Sequence, residues 1–198
     1  MVDVKDIFAG LDCTMILFNN GELRIWGKKY FSQFGITSPE NKNQEILLRG
    51  LVDIKQISVG RGYTLVLHTD GTITAWGDNQ LSQLGIPSID KVTQPKKIEG
   101  LSGVKSISAG NNHVVSLMND GTIKVWGSNE YGKLGLSDST NRMEPTIVGG
   151  IANVKSVFAS KDFSMLLTEG GIIKVCGNNA KGELGTNDSV GRSIFVEI

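Results

Sequence analysis

The stretch SISAGNNHVVSLMNDGTIKVWGSNEYGKLG, residues 106–135, carries the pattern that decides the fold. A strand-like run ends at Gly110, an Asp-Gly turn separates two further runs, and Trp126-Gly127 and Leu134-Gly135 close the stretch. Its apolar residues alternate with a period of two, which predicts β-strands rather than helices.

The same pattern recurs along the whole chain with a period of 50 residues and without insertion or deletion. We therefore interpret residues 1–198 as a single repeat domain. Its four units are residues 1–50, 51–100, 101–150 and 151–198. The landmarks in register are Trp26, Trp76 and Trp126, then Gly27, Gly77, Gly127 and Gly177, and finally Gly35, Gly85, Gly135 and Gly185.

Each unit has a turn pair at its centre. These pairs are Asn20-Gly21, Asp70-Gly71, Asp120-Gly121 and Gly170-Gly171. They predict two-residue type I′ hairpins with positive φ at both central positions. A strand before each hairpin and a weaker one after it give four short antiparallel strands per unit. The sequence therefore predicts an all-β fold of propeller-type blades.

Structural roles account for most of the recurring residues. The three tryptophans are predicted to fill the seams between neighbouring sheets, and the glycines to serve turns and close packing. Cys176 stands at the Trp position of unit 4. Either unit 4 lacks a full neighbour on that side, or a larger group fills the space.

The quoted pattern resembles the regulator of chromosome condensation repeat, and the resemblance covers essentially the whole chain. Members of that family usually close seven blades into a ring, so the four units here imply an open arc of a larger ring. An arc cut from a longer protein, an arc paired with a second chain and a closed four-bladed propeller all remain open at this stage.

Composition and the distribution of apolar residues disfavour two classes of partner, nucleic acids and membranes. The chain has 20 basic and 20 acidic residues, and this balance disfavours nucleic-acid binding. The start of the sequence does not read as a secretory signal, and no apolar run is long enough to span a bilayer. With two cysteines at apolar positions, we expect a reduced protein in the cytoplasm or nucleus, without a membrane partner.

No chemistry of catalysis is indicated. The glycines lack the context of a phosphate loop, and the chain contains two histidines, His68 and His113, at different places in their units. His113 occupies a position held elsewhere by Cys13, Tyr63 and Phe163, which is typical of a packing position. We therefore expect a protein that is not an enzyme and has no catalytic residue, metal site or cofactor.

The candidate partner-binding residues lie in the loop after the Trp-Gly step. Lys28, Lys29, Tyr30 and Phe31 have the composition of an interface anchor in unit 1, and Tyr131 occupies the corresponding loop of unit 3. One lysine recurs at the same position in each unit: Lys5, Lys55, Lys105 and Lys155. These lysines form either a solvated rim or a positively charged surface for an acidic partner.

Two functions follow from these patterns. The first is a protein-protein interaction scaffold that presents loops and blade edges to another protein. The alternative, implied by the resemblance, is guanine-nucleotide exchange on a Ran-type small GTPase. The family's exchange activity uses an insertion in one blade, and the equal units here contain none. Candidate partners are thus a small GTPase or a second copy of the chain.

Overall fold

The computed structural model describes residues 3–10, 13–27, 45–48 and 50–198. The described residues form four antiparallel sheets of four strands, and each sheet falls within one repeat unit. In unit 1 the strands are β1 Val4–Ala9, β2 Cys13–Phe18, β3 Leu23–Gly27 and β4 Ile46–Leu48. In unit 2 they are β5 Ile54–Val59, β6 Tyr63–His68, β7 Ile73–Gly77 and β8 Val92–Lys97.

Units 3 and 4 repeat this arrangement. The strands of unit 3 are β9 Val104–Ala109, β10 His113–Met118, β11 Ile123–Gly127 and β12 Arg142–Ile147. Those of unit 4 are β13 Val154–Ala159, β14 Phe163–Thr168, β15 Ile173–Gly177 and β16 Arg192–Glu197. A single-turn 3₁₀ helix, Glu130–Gly132, follows β11.

Strand order within each sheet follows the sequence, and the first strands of successive units contact one another. The first strands therefore line the inner side of the assembly, and the fourth strands form its outer edge. These are the propeller blades that the sequence predicts, so the fold class is confirmed.

The hairpin turns differ from the prediction in one respect. Gly71 has a φ of 78°, whereas Asp70 does not have a positive φ. The His68 amide donates to Thr72 O over 2.9 Å, and the Gly71 amide donates to His68 O over 3.0 Å. This is a three-residue loop with Gly in the left-handed region, so the type I′ prediction is wrong. The Asp70 carboxylate accepts from the Thr72 amide at 2.9 Å, which holds the aspartate in its turn.

Each sheet has two faces that pack differently. The leading face is turned toward the preceding unit, and in unit 2 it carries Ile54, Ile57, Val66 and Trp76. The trailing face is turned toward the following unit, and in unit 1 it carries Cys13, Met15, Leu17, Leu23 and Ile25. A seam is a trailing face packed against the next leading face. The three seams contain the three hydrophobic cores of the described residues.

Among the residues that the structure describes, the outer faces of units 1 and 4 have no such neighbour. Ile7 on the leading face of unit 1 is 69% exposed, whereas its counterpart Ile57 is 5% exposed. Ile173 on the trailing face of unit 4 is 36% exposed, whereas Ile123 is fully buried. The four blades therefore form an open arc, as predicted, and the closed four-bladed alternative does not describe this chain.

Cys176 faces unit 3, so its small side chain is unrelated to the free end of unit 4. Its thiol donates to Lys133 O at 3.4 Å. In the preceding seam the equivalent bond is donated by Trp126 Nε1 to Gln83 O. Phe195 from β16 supplies the missing ring: it packs against the Gly135 backbone, as Trp126 packs against Gly85. A larger group does fill the space.

None of the helical turns in the described part of the chain is long and apolar enough to cross a membrane.

Candidate protein-interaction surface

Two kinds of loop meet at one end of the sheets, which we call the loop end. The turn between the first and second strands of each unit lies beside the loop that follows the third strand. In unit 3 the Ser128 amide donates to Asn112 O at 2.8 Å, and in unit 4 the Asn178 amide donates to Asp162 O at 2.9 Å. The hairpin turns and the connections between units lie at the opposite end.

A buried asparagine fixes each described loop of the loop end. The side chain of Asn129 accepts the Leu134 amide at 2.9 Å and donates to Asp138 O at 2.9 Å. Asn79 and Asn179 occupy the same position and also accept from the amide five residues later, at 2.9 Å. All three side chains are fully buried. A loop tied at both ends in this way has a defined shape before any partner binds.

Tyr131 lies at the apex of such a loop and points outward. Its backbone has a φ of 63° and a ψ of 10°, while its side chain is 51% exposed. The left-handed region costs an L-residue roughly 1 kcal/mol or more. Strained residues that persist at the surface tend to mark functional positions, and a tyrosine supplies both apolar area and a hydroxyl group.

Two carboxylates influence the Tyr131 hydroxyl. The pKa of Tyr131 lies above its ordinary value, first because of the Glu130 carboxylate and its hydrogen bond, and less because of Asp162. Asp162 comes from unit 4 and pairs with the ammonium group of Lys133 at 3.3 Å. The surroundings of the aromatic apex therefore carry charges of both signs, because Asp162 also lies 3.8 Å from the ammonium group of Lys161.

A buried hydrogen-bonded chain lies beneath this apex. His113 Nε2 lies 2.9 Å from Ser164 Oγ, and the Ser164 hydroxyl donates to Lys133 O at 2.7 Å. His113 therefore donates to the serine instead of acting on it as a base. Burial, with a smaller contribution from Lys133, lowers the pKa of His113 to about 3. Spacing alone could not reveal this pair, because its members are 51 residues apart on different sheets.

The other candidate residues are spread over the molecule. Lys28, Lys29, Tyr30, Phe31 and Gly35 lie outside the described residues, so the anchor proposed for unit 1 stays a prediction. The recurring lysines follow the connections between units, at the end opposite Tyr131, and Lys5 donates to Ile54 O at 3.3 Å. Trp76 and Trp126 are fully buried in seams, whereas Trp26 lies half-buried on the free leading face of unit 1.

The outer edge between units 2 and 3 carries a cleft of ≈ 610 Å³. Its polar lining mixes three lysines, Lys96, Lys97 and Lys124, with two glutamates, Glu99 and Glu144. Charges of both signs give this cleft no clear preference for an anion or a cation. Across the residues that the structure describes, no three His, Cys, Asp or Glu side chains are grouped in a way that could hold a metal ion.

Comparison with protein families identifies the repeats. A model of the regulator of chromosome condensation (RCC1) repeat matches residues 70–117 and 120–167. A second model of the same repeat matches residues 54–83 and 104–133. Together the matches run from residue 54 to residue 167, which is more than half of the chain. No curated protein matches the sequence.

Solved structures share the fold. Prp20p from Saccharomyces cerevisiae, described with its binding to Gsp1p and histones, superposes with a TM-score of 0.83 at 21% identity. That match covers 98% of this chain and 50% of Prp20p. Yeast RCC1 (Prp20) bound to Kap60 gives 0.78 at 25% identity, covering 98% and 49%.

Human WBSCR16 gives a TM-score of 0.80 at 22% identity, covering 98% of this chain and 52% of that protein. The chain thus spans about half the length of these structural relatives.

Proposed function

The chain belongs to the regulator of chromosome condensation repeat family, and from that premise we propose that it is a non-enzymatic scaffold whose loop end binds another protein. The family and its structural relatives support a protein-interaction role. We assign that role to the loop end around Tyr131.

One observation carries the proposal: Tyr131 is an exposed aromatic side chain on a loop whose shape is fixed from within. Tyrosine is enriched among the residues that dominate binding energy at interfaces, and a preformed loop loses little entropy on binding. The Glu130 carboxylate beside it favours a partner that offers a basic side chain next to an apolar pocket.

The buried polar groups beneath the loop do not form a catalytic site. Ser164 and His113 are fully buried, and the serine hydroxyl is engaged by a backbone carbonyl. A hydrolytic serine would need an exposed hydroxyl that donates to the histidine. The pair therefore supports a packing role within the seam.

Site-directed photo-cross-linking tests the proposal. A photoreactive phenylalanine analogue placed at position 131 is compared with the same residue at position 181, which is the equivalent and exposed position of unit 4. We expect position 131 to capture a protein that position 181 does not, and Tyr131→Ala to abolish binding of that protein. Identical products from both positions, or binding of the captured protein unaffected by Tyr131→Ala, would count against the proposal.

Guanine-nucleotide exchange is the second candidate function. Prp20p, which shares the fold, is described as binding Gsp1p. Release of labelled GDP from a Ran-type small GTPase, with and without the chain, tests this activity directly. Faster GDP release that depends on Tyr131 or another loop-end residue would favour exchange activity. Unchanged GDP release at high protein concentration would rule this activity out. The cytoplasmic or nuclear location expected from the sequence stays a prediction.

A further inference from the structure

Unit 3 adds a short extended segment to the outer edge of the next sheet. Leu136 forms an antiparallel bridge with Ile194 of β16. Beside it, the Ser137 amide donates to Ser193 O at 2.8 Å. The backbone groups on the outer edge of a sheet are free to pair with any extended chain, and here residues 136–137 take that place. The outer edge of a blade in this chain can therefore pair with an extended segment.

Two prolines prevent the same contact between units 2 and 3. Pro87 stands at the position of Ser137, and Pro145 stands at the position of Phe195, next to the bridge. Ser137 has a φ of 63°, which the proline ring does not allow, and neither proline has an N–H to donate across the seam. The edge of β12 therefore lacks the segment that covers β16.

A further difference keeps the two sides of this seam apart. Gly132 lies so close to β16 that a Cβ on it would meet the Ser193 Cα at 2.5 Å. The equivalent residue of unit 2 is Ser82, which has a side chain and is buried. With a side chain at this position, unit 2 cannot lie as close to β12 as unit 3 lies to β16. The space that results is the cleft of ≈ 610 Å³ between residues 85–88 and Pro145.

The chemistry of this cleft fits a polypeptide better than a simple ion. Its three lysines and two glutamates form no ion pair with one another or with other described residues. At the edge of β12, Met143 O lacks the donor that Ser193 O has in the next seam. An extended chain offers N–H and C=O groups along both of its sides, and its side chains can carry either charge. It can therefore satisfy the acceptors and the donors of the cleft together.

We propose that this cleft binds an extended segment of another protein, which pairs its main chain with the edge of β12 at residues 143–144. Main-chain hydrogen bonds supply the affinity of such strand addition, and side-chain contacts supply its specificity. Lys124 favours an acidic side chain in that segment, and Glu144 favours a basic one. Both sides of the cleft come from the middle of the chain, so the site does not involve the outer faces of units 1 and 4. It is also separate from the surface around Tyr131.

Selection from a displayed library of random linear peptides tests the proposal. Glu144→Trp places a large side chain in the cleft, and Gln94→Trp places the same side chain at the equivalent position of unit 2. Both residues are exposed, so both variants should fold. An enriched peptide should bind the original chain and the Gln94→Trp variant equally, and the Glu144→Trp variant more than ~10-fold more weakly.

N-methylation of the enriched peptide separates main-chain pairing from side-chain contacts. In an extended segment the N–H groups of alternate residues face the same side. Methylation of one alternate set should therefore weaken binding by more than ~10-fold, and methylation of the other set should have a smaller effect. Four results would overturn the proposal: no enriched peptide, equal loss of binding in both Trp variants, binding that Glu144→Trp leaves unchanged, or binding insensitive to methylation of either set.

Discussion

Phe195 packs directly over the backbone of Gly135, and two of its ring carbons lie 2.5 Å from the place where a Cβ on Gly135 would stand. The ring occupies the space that Trp126 fills over Gly85 one seam earlier. Units 2 and 3 combine a Trp with Pro95 or Pro145, whereas unit 4 combines Cys176 with Phe195. The last seam therefore differs from the others by two coupled exchanges. The third strand has Cys176 in place of a Trp, and the fourth strand supplies the ring of Phe195 instead.

This coupling predicts a non-additive pair of substitutions. Cys176→Trp alone should destabilise the chain by about 1–3 kcal/mol, because the space is already filled by Phe195. Phe195→Pro alone should destabilise it by about 3–5 kcal/mol through the cavity it opens. The double variant restores the combination of unit 3 and should be more stable than the sum of the two changes predicts, as measured by urea unfolding. Simple additivity would show that the two positions do not share one space.

Gly135→Ala should cost more stability than Gly185→Ala. Both glycines have positive φ, 70° and 69°, so both variants carry a backbone cost of about 1 kcal/mol. Only Gly135 faces a ring; a Cβ on Gly185 would meet Ile198 at 3.6 Å. We expect a further loss of about 1–3 kcal/mol at Gly135, read from chemical denaturation. Equal losses at the two positions would contradict the packing of Phe195.

Asn129→Ala should loosen the loop that carries Tyr131. The substitution leaves the buried Leu134 amide without its acceptor, at a cost of about 1–3 kcal/mol. Amide hydrogen exchange should accelerate in residues 130–138. Asn178→Ala removes one exposed hydrogen bond to the Ala180 amide and is the matched control, with little expected change. Unchanged exchange in the Asn129 variant would mean that other contacts hold the loop.

His113 should make stability depend on pH. The folded chain keeps its imidazole neutral down to a pKa of about 3, whereas the unfolded chain takes up a proton near 6.5. The unfolded state then binds more protons between these values, so the stability from neutral His113 is complete above pH 6.5 and lost as pH falls toward 3. The slope is roughly 1.4 kcal/mol per pH unit within that window.

His113→Gln keeps a donor for Ser164 and does not titrate. Unfolding measured from pH 7 to pH 5 should therefore show a shallower decline for this variant than for the original chain. The same decline in both proteins would place the His113 side chain in contact with water.

Much of the fold could be predicted from the sequence because its signals are local and repeated. Apolar alternation, turn glycines and the 50-residue period suffice for strands, units and blades. The turn type could not be predicted from the Asp-Gly pair alone. The Asp70 carboxylate accepts from the Thr72 amide, and a dipeptide preference does not encode this side-chain contact. The replacement of the missing Trp by Phe195 could not be predicted, because it depends on two residues 19 positions apart in the chain that fill one space.

The candidate site was predictable only in part. Comparing the loops in register identifies Tyr131, and the structure adds the backbone strain and the neighbouring Glu130 carboxylate that make it a stronger candidate. Asn79, Asn129 and Asn179 recur as Trp-Gly-x-Asn or Cys-Gly-x-Asn, so register alone could have found them. The link between His113 and Ser164 could not be found in this way, because it joins two units across a seam.

Cross-linking of a cysteine pair tests most directly whether the four blades form an open arc with unfilled seam faces. Ile7→Cys combined with Phe158→Cys is treated with a short thiol-reactive cross-linker, and Phe8→Cys combined with Ile57→Cys, within the first seam, is the internal control. We expect the control to be joined efficiently within one chain and the end-face pair not to be joined within one chain, because Ile7 and Phe158 lie on faces that the other described units leave exposed. An end-face pair joined efficiently within a single chain would mean that units 1 and 4 meet in a closed four-bladed ring, and would contradict the account.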